Sequence, residues 1–174
     1  MLEIRAVDRT DDHAAVGSID TAFETSTIYA LVVAPTRLDL VPQTLATPRT
    51  KRYPIAEVFA PWSSWERGWI AEDGGVCGFA GVEYEAWHRR LVLWHLYVDR
   101  ARRREGIGRA LLQHVEDHGR ACGATRVWLE TSTVNMPRIA AYARLGYTLC
   151  GVDAHYYEGT PVADEAAVYL SKPL

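Results

Sequence analysis

Apolar and polar positions follow two different periods along this chain. Leu2–Val7 (LEIRAV) alternates and predicts a strand. Asp11 or Asp12 stands where it would cap a helix whose apolar face runs through Val16, Ile19 and Phe23. TRLDLVPQ alternates again, and Pro42 confines it to an edge strand or a strand end. Residues 43–66 show no period. Pro42, Pro48, Pro54 and Pro61 recur at near-regular intervals with Trp62 and Trp65 close behind. This reads as a long loop, either pinned to the surface by its tryptophans or turned toward a substrate.

From Arg67 the pattern is cleaner. RGWIAED and VCGFAGVEYEAW read as strands joined by a DGG turn. LVLWHLYVD (Leu91–Asp99) is nearly continuous in apolar residues, as a central strand is. Ile107, Ala110, Leu111 and Val115 mark one face of a helix ending near Gly123. RVWLETS predicts a strand, NMPRIAAYARLGY a helix opened near Asn135 and closed at Gly146, and YTLCGVD and EAAVYLSK two last strands. The order is antiparallel meanders early and strand–helix–strand–helix–strand late.

Composition narrows the class. The chain has 174 residues, 48% hydrophobic and 24% charged, which suits one globular domain. Net charge is -3, yet the segment 99–109 carries +3, because five arginines stand against Asp99 and Glu105. A nucleic-acid binder spreads basic charge over a face; here it is confined to one loop, which favours a small polyanion. Cys77, Cys122 and Cys150 are scattered, without zinc or disulfide spacing. The polar start from Glu3 onward is unlike a signal peptide, and no apolar run approaches a membrane span of ~20 residues. The expectation is a reduced, cytoplasmic protein binding neither nucleic acid nor membrane.

The arginine loop, RARRREGIGRALL (Arg100–Leu112), decides the ligand class. A P-loop needs a Gly-Lys pair, which the chain lacks. A dinucleotide fingerprint needs a third glycine where Leu111 stands. What remains is R-x-x-G-x-G, formed by Arg103, Gly106 and Gly108, running straight into a helix. Glycines let backbone approach a ligand, first-turn amides point out unpaired, and arginines add charge-assisted bonds to phosphate oxygens. The alternative is a solvated, basic helix entry. His114 and His118, four apart on one helix face, lack an evident third ligand, so no metal is expected.

An apolar strand, R-x-x-G-x-G, an amphipathic helix, a strand and an N…Y pair on a last helix, in order over 67–171, resemble the GCN5-related N-acetyltransferase (GNAT) family. The resemblance implies one α/β (α+β) domain over 1–174. Its mixed, mostly antiparallel sheet would have six to seven strands flanked by helices, the family's fourth and fifth strands splayed to admit acetyl-coenzyme A. It implies cofactor contacts from Leu96, Tyr97 and Val98, from Arg103, Arg104, Gly106, Ile107, Gly108 and Arg109, and from Asn135 and Tyr142. DTAFETSTIY, RRLVL, REGIGRALL, WLETSTVNMPRIAAYARLGYTLCGVDAHYYEGT and EAAVYLS are similar to the streptothricin (nourseothricin) acetyltransferase group of that family. This implies acetylation of a primary amine of a streptothricin-type antibiotic. The alternatives are another small amine, an amino acid or a protein terminus as acceptor, or a non-enzymatic coenzyme A-binding module. The resemblance also admits a homodimer.

An amine attacks a thioester only when neutral, so a base must take a proton and a donor must hold the developing oxyanion. The resemblance assigns the Val98 amide to the oxyanion and Tyr142 to protonation of the departing thiolate. Two groups compete as base: His95, on the strand leading to the thioester, and Glu130, at the end of the neighbouring strand. A water chain is the third option. Where the streptothricin group carries an acidic pattern like E-D-I-x-V, this chain has Trp94, His95, Leu96, Tyr97 and Val98. That makes the expected amine pocket aromatic, lined by Trp94, His95, Tyr97 and Glu130. Glu83 and Glu85, two apart on one strand face, would either join it or face solvent.

Overall fold

The computed structural model describes residues 1–174. In chain order the elements are β1 (Glu3–Ala6), α1 (His13–Gly17), β2 (Phe23–Ala34), β3 (Arg37–Lys51), β4 (Arg67–Glu72), β5 (Val76–Glu85), β6 (Arg90–Val98), α2 (Ile107–Ala121), β7 (Arg126–Ser132), α3 (Met136–Arg144), β8 (Thr148–Asp153) and β9 (Ala167–Pro173). Short 3-10 turns occupy Ile55–Phe59, Ala86–His88 and Arg100–Arg102. The chain divides into two compact units. The first holds Met1–Phe23, Arg52–Val127 and Pro173–Leu174; the second holds Glu24–Lys51 and Trp128–Lys172. No helix is long and apolar enough to cross a membrane.

In the first unit the strands run β1-β4-β5-β6, each antiparallel to its neighbour. One face carries Ile70, Phe79 and Tyr97, which form a core with Val16, Ile19, Ile55, Val58 and Trp65. Two strand glycines make room for Trp65. A Cβ at Gly81 would lie 3.0 Å from Trp65 Cγ, and one at Gly68 would meet Trp65 Cζ3 at 3.0 Å and the Ala80 carbonyl at 2.9 Å. The indole packs over both positions because neither has a side chain. The opposite face takes α2, whose Ile107, Leu111, Leu112 and Val115 are buried. There Gly78 admits Ile107 and Leu111, each 3.0 Å from where its Cβ would stand.

In the second unit β9 lies between β7 and β8, and β2 and β3 make a separate two-stranded ribbon. β8 and β9 are antiparallel. The Thr133 amide donates to the Ala166 carbonyl at 3.0 Å, and the Tyr29 amide donates to the Thr133 carbonyl at 3.0 Å. α3 opens on the buried Asn135, whose carbonyl accepts from the amides of Arg138 and Ile139, both at 3.0 Å. It closes before Gly146, whose φ of 90° reverses the chain.

Three sequence expectations need correction. The first helix stops at Gly17 and does not continue through Ile19 and Phe23. Ser18 turns back on Ala15 through both its amide and its hydroxyl, and the β-branched run Thr25, Thr27, Ile28 favours strand. Residues 43–51, read as irregular, belong to β3; a two-stranded ribbon leaves each strand a free edge, where Pro42 and Pro48 need donate nothing. The irregular part shrinks to 52–66. Of its tryptophans only Trp65 is a pin, 2% exposed, whereas Trp62 is exposed.

Candidate active site

In the first unit, β6 departs from regular pairing. Gly81 pairs with His95 and Val82 with Leu93, so Trp94 is an extra residue. This bulge puts His95 and Tyr97 on the face of Phe79 and Trp65. His95 Nε2 is 3.1 Å from Ser63 Oγ, and its buried Nδ1 has no partner. Burial pushes the imidazole down to about 4, so it is neutral near pH 7 and a weak proton acceptor. Leu96 and Val98 point to the opposite face, paired with Ala80 and Gly78. Glu83 accepts from Trp94 Nε1 at 2.8 Å, and Glu85 pairs with Arg90 at 2.7 Å. Glu85 therefore closes its own hairpin, and of the two only Glu83 is drawn to the aromatic patch.

Below β6 the arginine loop divides its side chains into anchors and free groups. Asp99 Oδ1 accepts from the Ala101 amide and Oδ2 from the Asp20 amide, each at 2.9 Å. Arg102 pairs with Asp73 at 2.9 Å and with Glu105 at 2.8 Å. Arg103 donates to the carbonyls of Val98 (3.3 Å) and Asp20 (3.4 Å). Arg103 is thus part of the loop's scaffold as well as of the motif. Arg104, in the left-handed region at φ 72°, and Arg109 make no hydrogen bond or ion pair within the chain.

Gly106 has φ 85° and supplies the N-cap position of α2 without a side-chain cap. A Cβ at Gly108 would meet only Val98 Cγ2, at 3.6 Å, an ordinary contact. Packing therefore does not demand glycine at 108. Open backbone, uncapped helix amides, no acidic residue in the first turn and two unengaged guanidiniums together fit a phosphate-bearing cofactor.

The second unit holds Glu130, Asn135 and Tyr142, and polar groups that no sequence spacing marks. Glu130, on β7, is half-buried; its Oε1 accepts a short hydrogen bond from the hydroxyl of Tyr157. Burial pushes the carboxyl up, and Tyr157, Lys51 and Arg138 act against that rise. Lys51 Nζ is paired with the buried Glu165 and lies 3.4 Å from Ser132 Oγ; Arg49 is paired with Asp164 at 2.7 Å. Trp128 stacks on Tyr169 with ring centres 5.0 Å apart. Asn135 is 2% and Tyr142 4% exposed, and Tyr142 packs against Tyr147 at 5.3 Å. Lys51 lies far in sequence from Tyr157 and Glu165, and the three follow no recognisable spacing. The Tyr156–Tyr157 pair in an otherwise polar loop was the one available signal.

Comparison with known proteins adds the family. The model of the acetyltransferase (GNAT) family matches residues 38–147. Streptothricin acetyltransferase of Streptomyces lavendulae is 36% identical over 173 residues, covering 95% of this chain and 92% of that protein. The crystal structure of nourseothricin acetyltransferase superposes with a TM-score of 0.90 at 33% identity, over 99% of this chain and 98% of that one. A protein from Bacillus anthracis str. Ames, provisionally a streptothricin acetyltransferase and solved in complex with acetyl coenzyme A, has the same fold: TM-score 0.82, 21% identity, full coverage of both chains.

Proposed function

Since the chain belongs to the GNAT family of acetyltransferases, we propose that it moves the acetyl group of acetyl-coenzyme A to a primary amine of a streptothricin-type antibiotic. The observation that carries the substrate is the near-full-length similarity to an enzyme named for streptothricin, together with the fit to nourseothricin acetyltransferase. We read residues 1–174 as one acetyltransferase domain working in the cytoplasm, in keeping with three free cysteines. A homodimer rests on the resemblance alone; light scattering reads it directly.

Bound acetyl-coenzyme A supplies an activated acyl group and a good leaving thiol. The chain's part is to bind it, order the amine and move protons. Gly106, Ile107 and Gly108 offer backbone amides to the pyrophosphate, with Arg104 and Arg109 beside them and Arg103 bracing the loop. Leu96 to Val98 offer backbone to the pantetheine arm, and the Val98 amide is assigned to the acetyl carbonyl oxygen. Asn135 is assigned to the cofactor and Tyr142 to protonation of the leaving sulfur.

Between the two competing bases the electrostatics favour Glu130. An imidazole held at about 4 takes a proton from an alkylammonium poorly, whereas a carboxyl raised by burial is shifted toward working pH. His95, with Trp94 and Tyr97, then shapes the amine pocket, and Glu83 adds one negative charge beside Trp94. The test is a panel of streptothricin, lysine-like amines, aminoglycosides and neutral amines, each with acetyl-coenzyme A. Thiol release and product mass are followed. Acetylation of streptothricin ahead of the others is the expected outcome; thiol release only with a different amine moves the enzyme to that substrate. Tight coenzyme A binding without turnover of any amine leaves a binding module.

A further inference from the structure

We propose that Tyr157 is a positioning residue for acetyl transfer: its hydroxyl holds one oxygen of the Glu130 carboxylate and so presents the other to the amine. The proposal rests on the reading of Glu130 as the base. Oε1 accepts the Tyr157 hydroxyl, while Oε2 makes no hydrogen bond within the chain. Glu130 has no ion-pair partner either; Lys51, one of the cations that bear on it, is held by Glu165. A carboxylate locked in a salt bridge accepts a proton poorly; one steadied by a neutral phenol stays available.

Tyr157 is itself held. It lies in the 154–166 connection between β8 and β9, where its carbonyl accepts from the Thr160 amide at 3.1 Å and the Thr160 hydroxyl at 2.7 Å. Its ring meets Tyr156 edge-on at 5.0 Å and has Lys51 Nζ at 6.0 Å. This is the supporting shell that fixes a reactive group's geometry. The other charged groups bearing on Glu130 are Lys51 from β3, Arg138 from α3 and Glu165 just before β9. The group hydrogen-bonded to Glu130 is the phenol, and it is what orients the carboxylate.

The sign follows from the bond. A donor to the charged form lowers a carboxyl's pKa, so Tyr157→Phe raises that of Glu130, and the acid limb of the kcat–pH profile moves to higher pH, by about one unit. Turnover near neutrality falls, and KM for acetyl-coenzyme A stays put. The experiment compares wild type, Y157F, E130Q and the double variant, at saturating acetyl-coenzyme A, with streptothricin or the best amine of the panel. Support is an upward limb shift in Y157F, loss of the limb in E130Q, and no further effect of Y157F in the E130Q background. If E130Q loses the limb but Y157F leaves it in place, Tyr157 is no positioning residue while the base stands. If E130Q keeps the wild-type limb and turnover, the base assignment fails and this proposal with it. Site-specific 3-fluorotyrosine at 157, a stronger donor that keeps the ring, gives an independent arm: the limb moves to lower pH, and an unmoved limb overturns the proposal.

Discussion

The arginine loop and the Glu130 cluster use charge in opposite ways. In the loop, Arg102 and Arg103 are tied to Asp73, Glu105 and three backbone carbonyls, while Arg104 and Arg109 are left without a partner. In the cluster the cations Lys51 and Arg49 are paired, and the carboxylate without an ion pair is Glu130. A site that captures an anion keeps cations open and fastens the backbone beneath them. A site that takes a proton does the reverse: it neutralises nearby cations so that the carboxylate stays basic. On the proposed reading the first is a binding device and the second a chemical one, so substitutions in each should fail in different observables.

The largest expected effect is on the chemical side. Glu130→Gln keeps shape and removes the proton acceptor, so kcat should fall about 10²–10⁴-fold with KM for acetyl-coenzyme A little changed. Steady-state kinetics at saturating amine check this. A rise in cofactor KM with intact kcat would collapse the contrast, since Glu130 would then belong with the loop. Next comes Lys51→Met. It takes the close partner from Glu165, whose side chain is 2% exposed, and leaves that buried charge only Arg49 at 3.9 Å. Chemical denaturation should show a loss of about 3–5 kcal/mol. An unchanged midpoint would mean that the pair does not hold the cluster together.

These two regions also differ in how far the sequence revealed them. The loop is contiguous: Arg103, Gly106 and Gly108 fall within six residues between an apolar strand and an amphipathic helix, so spacing alone points to a small polyanion, with a basic helix entry as the alternative. The cluster draws Lys51 from β3, Glu130 from β7, and Tyr157 and Glu165 from the β8–β9 connection, and of these only Glu130 stands next to a recognisable strand end. His95 was legible as a position but not as a chemistry, because its depressed basicity comes from burial under neighbours that no local pattern identifies. The Trp94 bulge is similarly silent in LVLWHLYV, which reads as an unbroken strand. The 43–51 strand is hidden for a different reason: its prolines speak against a strand unless the ribbon's free edges are known.

On the binding side, replacing both Arg104 and Arg109 by alanine should raise KM for acetyl-coenzyme A about ten- to a hundredfold and leave folding stability within about 0.5 kcal/mol. The loss should flatten the dependence of cofactor binding on salt. Unchanged KM in the double variant would mean that the free guanidiniums face nothing, and the loop would revert to a basic helix entry.

The smallest change is the sharpest probe of the loop. Gly108 is a helical residue at ordinary φ, and an added Cβ meets only Val98 Cγ2 at 3.6 Å. For the protein alone Gly108→Ala is therefore neutral to favourable, because alanine loses less backbone freedom in a helix, by up to about 1 kcal/mol. A ligand brought against that backbone would meet the new methyl. Melting temperature should hold or rise slightly while KM for acetyl-coenzyme A rises several-fold and kcat does not move. A variant with better stability and unchanged KM would show that no ligand comes close to Gly108. The binding half of the comparison would then rest on Gly106 and the two free arginines.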